Sequence, residues 1–172
     1  MRRTADYTDL FRSIADAALR CGTEKDPSRL PDLVRIISAN FDALDARAIS
    51  VIASDLERPP DALRTYPALA ALRDRAIAAR NANENPRAKA NLSRDDVRTL
   101  LRALVTYSIG RRSYIVGSTC DHVRSYADVL TDDDRRAIIA EIDAYGRRWG
   151  VIGDVSDDRE WRSLQAYLAT TT

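Results

Sequence analysis

Cysteine, histidine and lysine are scarce in this chain of 172 residues. Two cysteines, Cys21 and Cys120, are too few for a disulfide framework, and one histidine, His122, excludes a histidine-rich metal site. Lys25 and Lys89 are the only lysines, so nearly all positive charge is arginine. No apolar run approaches the roughly 20 residues of a membrane span, and no apolar segment follows the first arginines as in a secretory leader. We therefore expect a cytoplasmic protein without a membrane partner.

The chain is also nearly neutral and lacks the common catalytic motifs. A formal charge of +1 excludes a global field that would attract nucleic acid or an anionic membrane. A P-loop, a dinucleotide-binding glycine motif, a zinc-protease motif and a serine-hydrolase elbow are all missing. The acidic runs at 131–136 and 154–158 fit helix capping, and neither has the pattern of a calcium loop. We therefore predict no catalytic residue, metal or cofactor, and a non-enzymatic role.

Glycine and proline are sparse, with six of each, and this favours helices because glycine loses the most backbone entropy in a helix. Apolar residues at helical spacing predict helices near 7–21, 28–39, 42–57 and 67–81, one from 93 to about 126, and two more beginning near 131 and 156. Ser93 and Thr131 precede two of these helices and are suited to cap them. The sequence predicts an all-α fold, a compact bundle of about seven helices.

Residues 81–92, NANENPRAKANL, form the most polar stretch between apolar segments and contain Pro86. Such a composition is typical of a connecting segment. We predict an N-terminal helical lobe over 1–80, a linker over 81–92 and a C-terminal helical lobe over 93–172. The two lobes can also pack as one domain.

Residues 106–123, TYSIGRRSYIVGSTCDHV, differ from the rest in their glycines, tyrosines and arginine pair. In one continuous helix, Tyr107, Arg111 and Tyr114 lie together, and Gly110 and Gly117, seven residues apart, share a face with each other. One interpretation is structural: the glycines accommodate a neighbouring helix, and Arg111 pairs with an acid. A short strand over 113–117 is a further alternative, because β-branched runs are ambiguous at this length.

The functional interpretation of this stretch is a partner-binding surface, because tyrosine and arginine dominate binding hot spots. The residues assigned to this surface are Tyr107, Arg111, Arg112 and Tyr114.

Two other functions compete with this interpretation. Arg94, Arg98 and Arg102 are spaced to form a basic stripe, which, with Arg111 and Arg112, can bind nucleic acid through phosphate contacts; a solvated stripe balanced by acids is the structural alternative.

The second competitor is a small enzyme that uses Cys120 or His122. Neighbouring helical residues point about 100° apart, which works against a cysteine–histidine pair in the run CDH at 120–122.

Residues 93–169 resemble a group of uncharacterised helical proteins of phages, prophages and other mobile elements. The matching features are YSIGRRSYIV at 107–116, TDDDRRAIIAEID at 131–143 and GDVSDDREWRSL at 153–164. The resemblance implies a mobile-element setting, in which small helical proteins bind host machinery, including defence systems such as CRISPR effectors. We therefore predict an interaction protein that binds a host or phage protein, for example as an anti-CRISPR inhibitor, with a homodimer as a further option.

Overall fold

The structure, a computed structural model, describes residues 6–58, 66–111, 114–150 and 155–170. Across these residues the chain is all-α without a strand, which confirms the predicted fold class. The α-helices of the described ranges are α1 (Thr8–Arg20), α2 (Leu30–Ala39), α3 (Ala46–Leu56), α4 (Pro67–Asn81), α5 (Arg94–Ser108), α6 (Tyr114–Ser125), α7 (Asp132–Trp149) and α8 (Val155–Thr170).

One predicted helix is two helices in the structure. The described ranges therefore contain eight α-helices where the sequence predicted about seven helices. The single helix from 93 to about 126 is wrong, because α5 ends at Ser108 and Gly110 takes a left-handed φ of +82°. A left-handed residue cannot continue a right-handed helix. Tyr107, Arg111 and Tyr114 therefore do not share a helix face. The alternative of a strand at 113–117 is also wrong, since α6 runs from Tyr114.

The chain divides into two compact units, residues 1–100 and residues 101–172. In the first unit, α3 packs along α4, and α1 and α2 pack against their neighbours. The buried faces follow the 3.6-residue period of the sequence, and fully burying each large apolar side chain contributes about 1.5–3 kcal/mol. Its largest fully buried side chains are Leu10, Phe11, Ile14, Leu33, Ile36, Ile37, Phe41, Leu44, Ile49, Ile52 and Leu56.

The polar segment that follows α4 is hydrogen-bonded to other parts of the first unit. The amide of Ala90 donates to the Thr8 hydroxyl at 2.9 Å, and the amide of Asn91 donates to the side-chain oxygen of Asn40 at 2.7 Å. Arg12 also donates to the carbonyl of Ala88 at 3.3 Å. The residues of the predicted linker thus have specific partners in α1 and in the turn after α2, while the predicted lobe boundaries stay a prediction.

In the second unit, α8 packs against both α6 and α7. The side chains of Ser108 and Thr119 are buried and hydrogen-bonded to each other at 2.7 Å, which joins the end of α5 to α6. Gln165 of α8 donates to the carbonyl of Ile139 at 3.1 Å. The apolar residues buried in this unit include Leu101, Leu104, Val105, Val116, Val123, Ile138, Ile142, Trp161, Leu164 and Leu168.

Two helix starts confirm the caps predicted from sequence. Asp96 donates its amide to the Ser93 hydroxyl at 3.0 Å and accepts the Ser93 amide at 3.1 Å. Thr131 and Asp134 form the same reciprocal pair at the start of α7. Each pair satisfies two backbone donors that the first helical turn leaves open.

Membrane insertion finds no support in the described ranges. None of their helices combines the length and the apolar character that crossing a bilayer requires.

Candidate functional site

The turn between α5 and α6 lies against α7. Gly110 sits so close to Tyr145 that a Cβ atom at this position would lie 2.6 Å from the tyrosine hydroxyl oxygen and 3.0 Å from Cζ. The left-handed φ and this approach both require a residue without a side chain. Gly110 therefore brings the arginine-bearing turn to the C-terminal part of α7.

Aromatic rings and guanidinium groups lie on both sides of the contact between Gly110 and Tyr145. The Cζ atom of Arg111 lies 4.5 Å from the ring centre of Tyr107. On α7, the ring centres of Tyr145 and Trp149 are 6.3 Å apart, and the Cζ atom of Arg148 lies 5.1 Å from the Trp149 ring. Both arginine distances are within the range of cation–π attraction. We call Tyr107, Arg111, Tyr145, Arg148 and Trp149 the aromatic–arginine cluster.

The cluster has a buried side and an exposed side. Tyr107 is only 2% exposed, whereas Trp149 is 58% exposed and Arg148 is exposed as well. A tryptophan that leaves more than half its surface in water is unusual, because this side chain is highly buried on average. Tryptophan, tyrosine and arginine are also the residue types that supply most binding energy at protein interfaces. The exposed side is therefore suited to contact a partner.

The described residues that the sequence assigned to partner binding differ in their exposure. Tyr107 is buried and so is not part of an exposed surface, because α5 turns it into the second unit. Arg111 is half-buried over the Tyr107 ring. Tyr114, the first residue of α6, is 82% exposed. Arg112 lies outside the described residues.

Sequence reasoning missed Tyr145, Arg148 and Trp149. The run AYGRRWG at 144–150 repeats the combination of aromatic residues, glycine and an arginine pair that distinguishes residues 106–123. That similarity was a usable signal. The similarity does not predict that the two segments approach each other, because this approach depends on the packing of α7.

The arginines of the predicted nucleic-acid stripe are largely engaged. Arg98 pairs with Asp95 at 3.0 Å, and Arg102 pairs with Asp134 at 3.3 Å. The Arg102 side chain is mostly buried, and Arg94 is exposed at the start of α5. The structure thus shows the pairing with acids that we gave as the structural alternative for this stripe.

Cys120 is not placed to act as a nucleophile, and His122 lies two residues further along α6. Cys120 is fully buried, and this burial raises the pKa of its thiol to about 12, so at neutral pH it is a thiol and not the nucleophilic thiolate. Burial lowers the pKa of His122, while the nearby Asp121 acts in the opposite direction. Both residues belong to α6, and neither lies in the aromatic–arginine cluster.

The acidic run at the start of α7 is accounted for by capping and ion pairs. Asp134 completes the cap with Thr131, and Asp133 pairs with Arg136 at 2.5 Å. Within the described ranges, histidine, cysteine and acidic side chains form no group of three that could hold a metal ion.

A cleft of about 320 Å³ with charged walls lies in the first unit. Its basic groups are partly occupied, because Arg12 donates to the carbonyl of Ala43 at 2.8 Å and Lys89 pairs with Asp6 at 3.0 Å. The residues that line it are Asp6, Thr8, Asp9, Arg12, Arg87 and Lys89. The cleft thus lies where the segment after α4 attaches to α1.

Comparisons of this chain with protein-family models, with curated proteins and with solved structures find no match. The fold and the site therefore define the class of this protein: an all-α protein with an aromatic–arginine cluster that is exposed on one side.

Proposed function

We propose that this protein is a non-enzymatic interaction protein that binds another protein through the exposed side of the aromatic–arginine cluster, with Arg148 and Trp149, and through Tyr114. The observation that carries the proposal is the exposure of Trp149 beside Arg148. A large ring held at the surface next to a guanidinium group can bury much apolar area on binding while it pays little entropy for ordering.

The mobile-element resemblance of residues 93–169 adds that the partner is a host or phage protein, such as a component of a defence system. Inhibition of a CRISPR effector is one such role. The burial of Cys120 and its raised thiol pKa support a binding role over thiol catalysis.

Nucleic-acid binding through the arginine-rich α5 is the alternative proposal. It has less support, because Arg98 and Arg102 already pair with Asp95 and Asp134. A net charge of +1 also gives little long-range attraction to a polyanion.

The test is a pull-down from bacterial lysate with tagged wild-type protein and with the variants Trp149→Ala and Arg148→Ala. We expect a discrete protein that remains after nuclease treatment and is lost with both variants. Arg136→Ala is the matched control, because Arg136 is an exposed arginine at the other end of α7.

Two results would count against the proposal. A partner retained equally by Trp149→Ala and Arg136→Ala would place the binding surface elsewhere. Recovery of nucleic acid, with affinity that falls steeply between low and moderate salt, would favour the nucleic-acid alternative.

A further inference from the structure

Two stretches without any acidic residue meet at the Gly110–Tyr145 contact. Residues 97–120 contain no aspartate or glutamate, and neither do residues 144–153. This is unusual in a chain in which 26 of 172 residues are acidic. The contact therefore brings together two arginine-bearing segments that supply no carboxylates of their own.

The arginines near the end of α7 differ from those near its start. At the start, Arg135 and Arg136 pair with Asp132 and Asp133. Arg147 and Arg148 are exposed, and no ion pair joins either to an acid among the described residues. They offset the negative end of the helix, but one helix end needs only about half a unit charge. The remaining positive charge faces solvent beside Trp149.

We infer that the partner bound by this surface is an acidic protein segment with a large apolar side chain. This inference rests on the proposed function and specifies the chemistry of its partner. Carboxylates of the segment pair with Arg147 and Arg148, since a guanidinium group binds a carboxylate through two parallel hydrogen bonds. The apolar side chain covers the exposed surface of Trp149.

A protein segment suits this surface better than a nucleic acid does. Of the rings in the cluster only Trp149 is exposed, whereas single-stranded nucleic acids stack successive bases on several aromatic side chains. Strong phosphate binding also requires many cations along an extended track, whereas this surface is short and the chain is nearly neutral.

The experiment is a selection of short random peptides displayed on phage, carried out against the full-length wild-type protein. The selected peptides are then measured against the double variant Arg147→Ala, Arg148→Ala and against Trp149→Ala. Binding is followed by the fluorescence anisotropy of dye-labelled peptides, because Trp149→Ala removes the exposed tryptophan and leaves only the fully buried Trp161 as an intrinsic probe. The thermal midpoint of each variant shows that it is folded.

We expect the selected peptides to be enriched in aspartate or glutamate together with phenylalanine, tryptophan or leucine. Their affinity should fall by at least about tenfold with the double arginine variant, and by a similar factor when glutamine replaces the acids of the peptide. Arg136→Ala is the control, because Arg136 is an exposed arginine at the other end of α7, and it should leave the affinity unchanged.

The contrary outcomes separate this inference from the proposed function. Peptides that depend on Trp149 but lack acidic residues would overturn the acidic partner and leave the proposed function standing. Peptides indifferent to Trp149 and to the arginines would overturn both. The acidic segment would also be overturned if the selection enriched no peptides. It would be overturned if a thymidine oligonucleotide bound more tightly than the peptides. Sedimentation of a homodimer that Trp149→Ala dissociates would overturn it as well.

Discussion

Gly110 and Tyr145 approach so closely that any side chain at position 110 would displace the tyrosine ring: a Cβ atom there would lie 2.6 Å from the tyrosine hydroxyl oxygen. This contact positions the turn after α5 against α7 and gives the aromatic–arginine cluster its arrangement. Gly117, seven residues later, lies inside α6, and a Cβ atom there would meet nothing within 4 Å among the described residues.

The two glycines should therefore respond in opposite ways to alanine. Gly110→Ala should lower the free energy of unfolding by at least about 1–2 kcal/mol, because alanine must adopt a left-handed φ. Gly117→Ala should raise it by up to about 1 kcal/mol, since alanine is favoured over glycine inside a helix. Urea unfolding of both variants is the measurement. Equal effects would show that Gly110 is not held in the left-handed conformation.

Tyr145→Phe tests the steric part of the same contact. Removing the hydroxyl oxygen relieves the closest approach but leaves the left-handed φ of Gly110 unchanged. The double variant Gly110→Ala, Tyr145→Phe should thus be more stable than the sum of the single changes predicts. Strict additivity would mean that the backbone conformation alone makes Gly110→Ala unfavourable.

The buried hydroxyl pair of Ser108 and Thr119 predicts a second non-additive result. Ser108→Ala leaves the Thr119 hydroxyl without its 2.7 Å partner and should cost about 1–3 kcal/mol of stability. Replacing both residues, as Ser108→Ala, Thr119→Val, removes both polar groups and should cost less than the two single changes together. Thermal unfolding of the three variants checks this, and additive losses would mean that another group satisfies Thr119.

His122 should make the stability depend on pH. Burial lowers its pKa in the folded state from the ordinary value of 6.5, so the unfolded chain binds a proton more readily. The stability is then complete above about pH 6.5 and falls as the pH drops toward the folded-state pKa. His122→Gln should flatten this part of the profile in urea titrations at several pH values. An unchanged slope in the variant would assign the pH dependence to other groups.

Asn40 should hold the segment after α4 in place. Its buried side chain donates to the carbonyl of Ile36 at 3.0 Å and accepts the amide of Asn91 at 2.7 Å. Asn40→Ala should cost about 1–3 kcal/mol, because the Asn91 amide loses its partner and the Ile36 carbonyl keeps only the backbone amide of residue 40. Amide hydrogen exchange at Asn91 should also accelerate. Asn85→Ala, an exposed change in the same segment, is the control and should alter neither quantity.

The sequence predicted the helical class and most helix positions because these depend on local rules. The apolar stripes recur every three to four residues, and Ser93 and Thr131 cap α5 and α7 through atoms only three residues away. The periodicity failed at Gly110. Apolar residues continue on both sides of this glycine, and nothing local shows whether it takes a helical or a left-handed conformation.

The sequence predicted only part of the candidate site, again because local rules do not determine tertiary contacts. Arg111 and Tyr114 stand out by residue type, but the burial of Tyr107 is set by tertiary packing, and the approach of Tyr145 to Gly110 comes from a helix more than 30 residues away. Local composition and spacing therefore determined an all-α protein with arginine-rich, tyrosine-rich segments. Tertiary packing alone decided which of these side chains face water, because burial depends on contacts between segments distant in the chain.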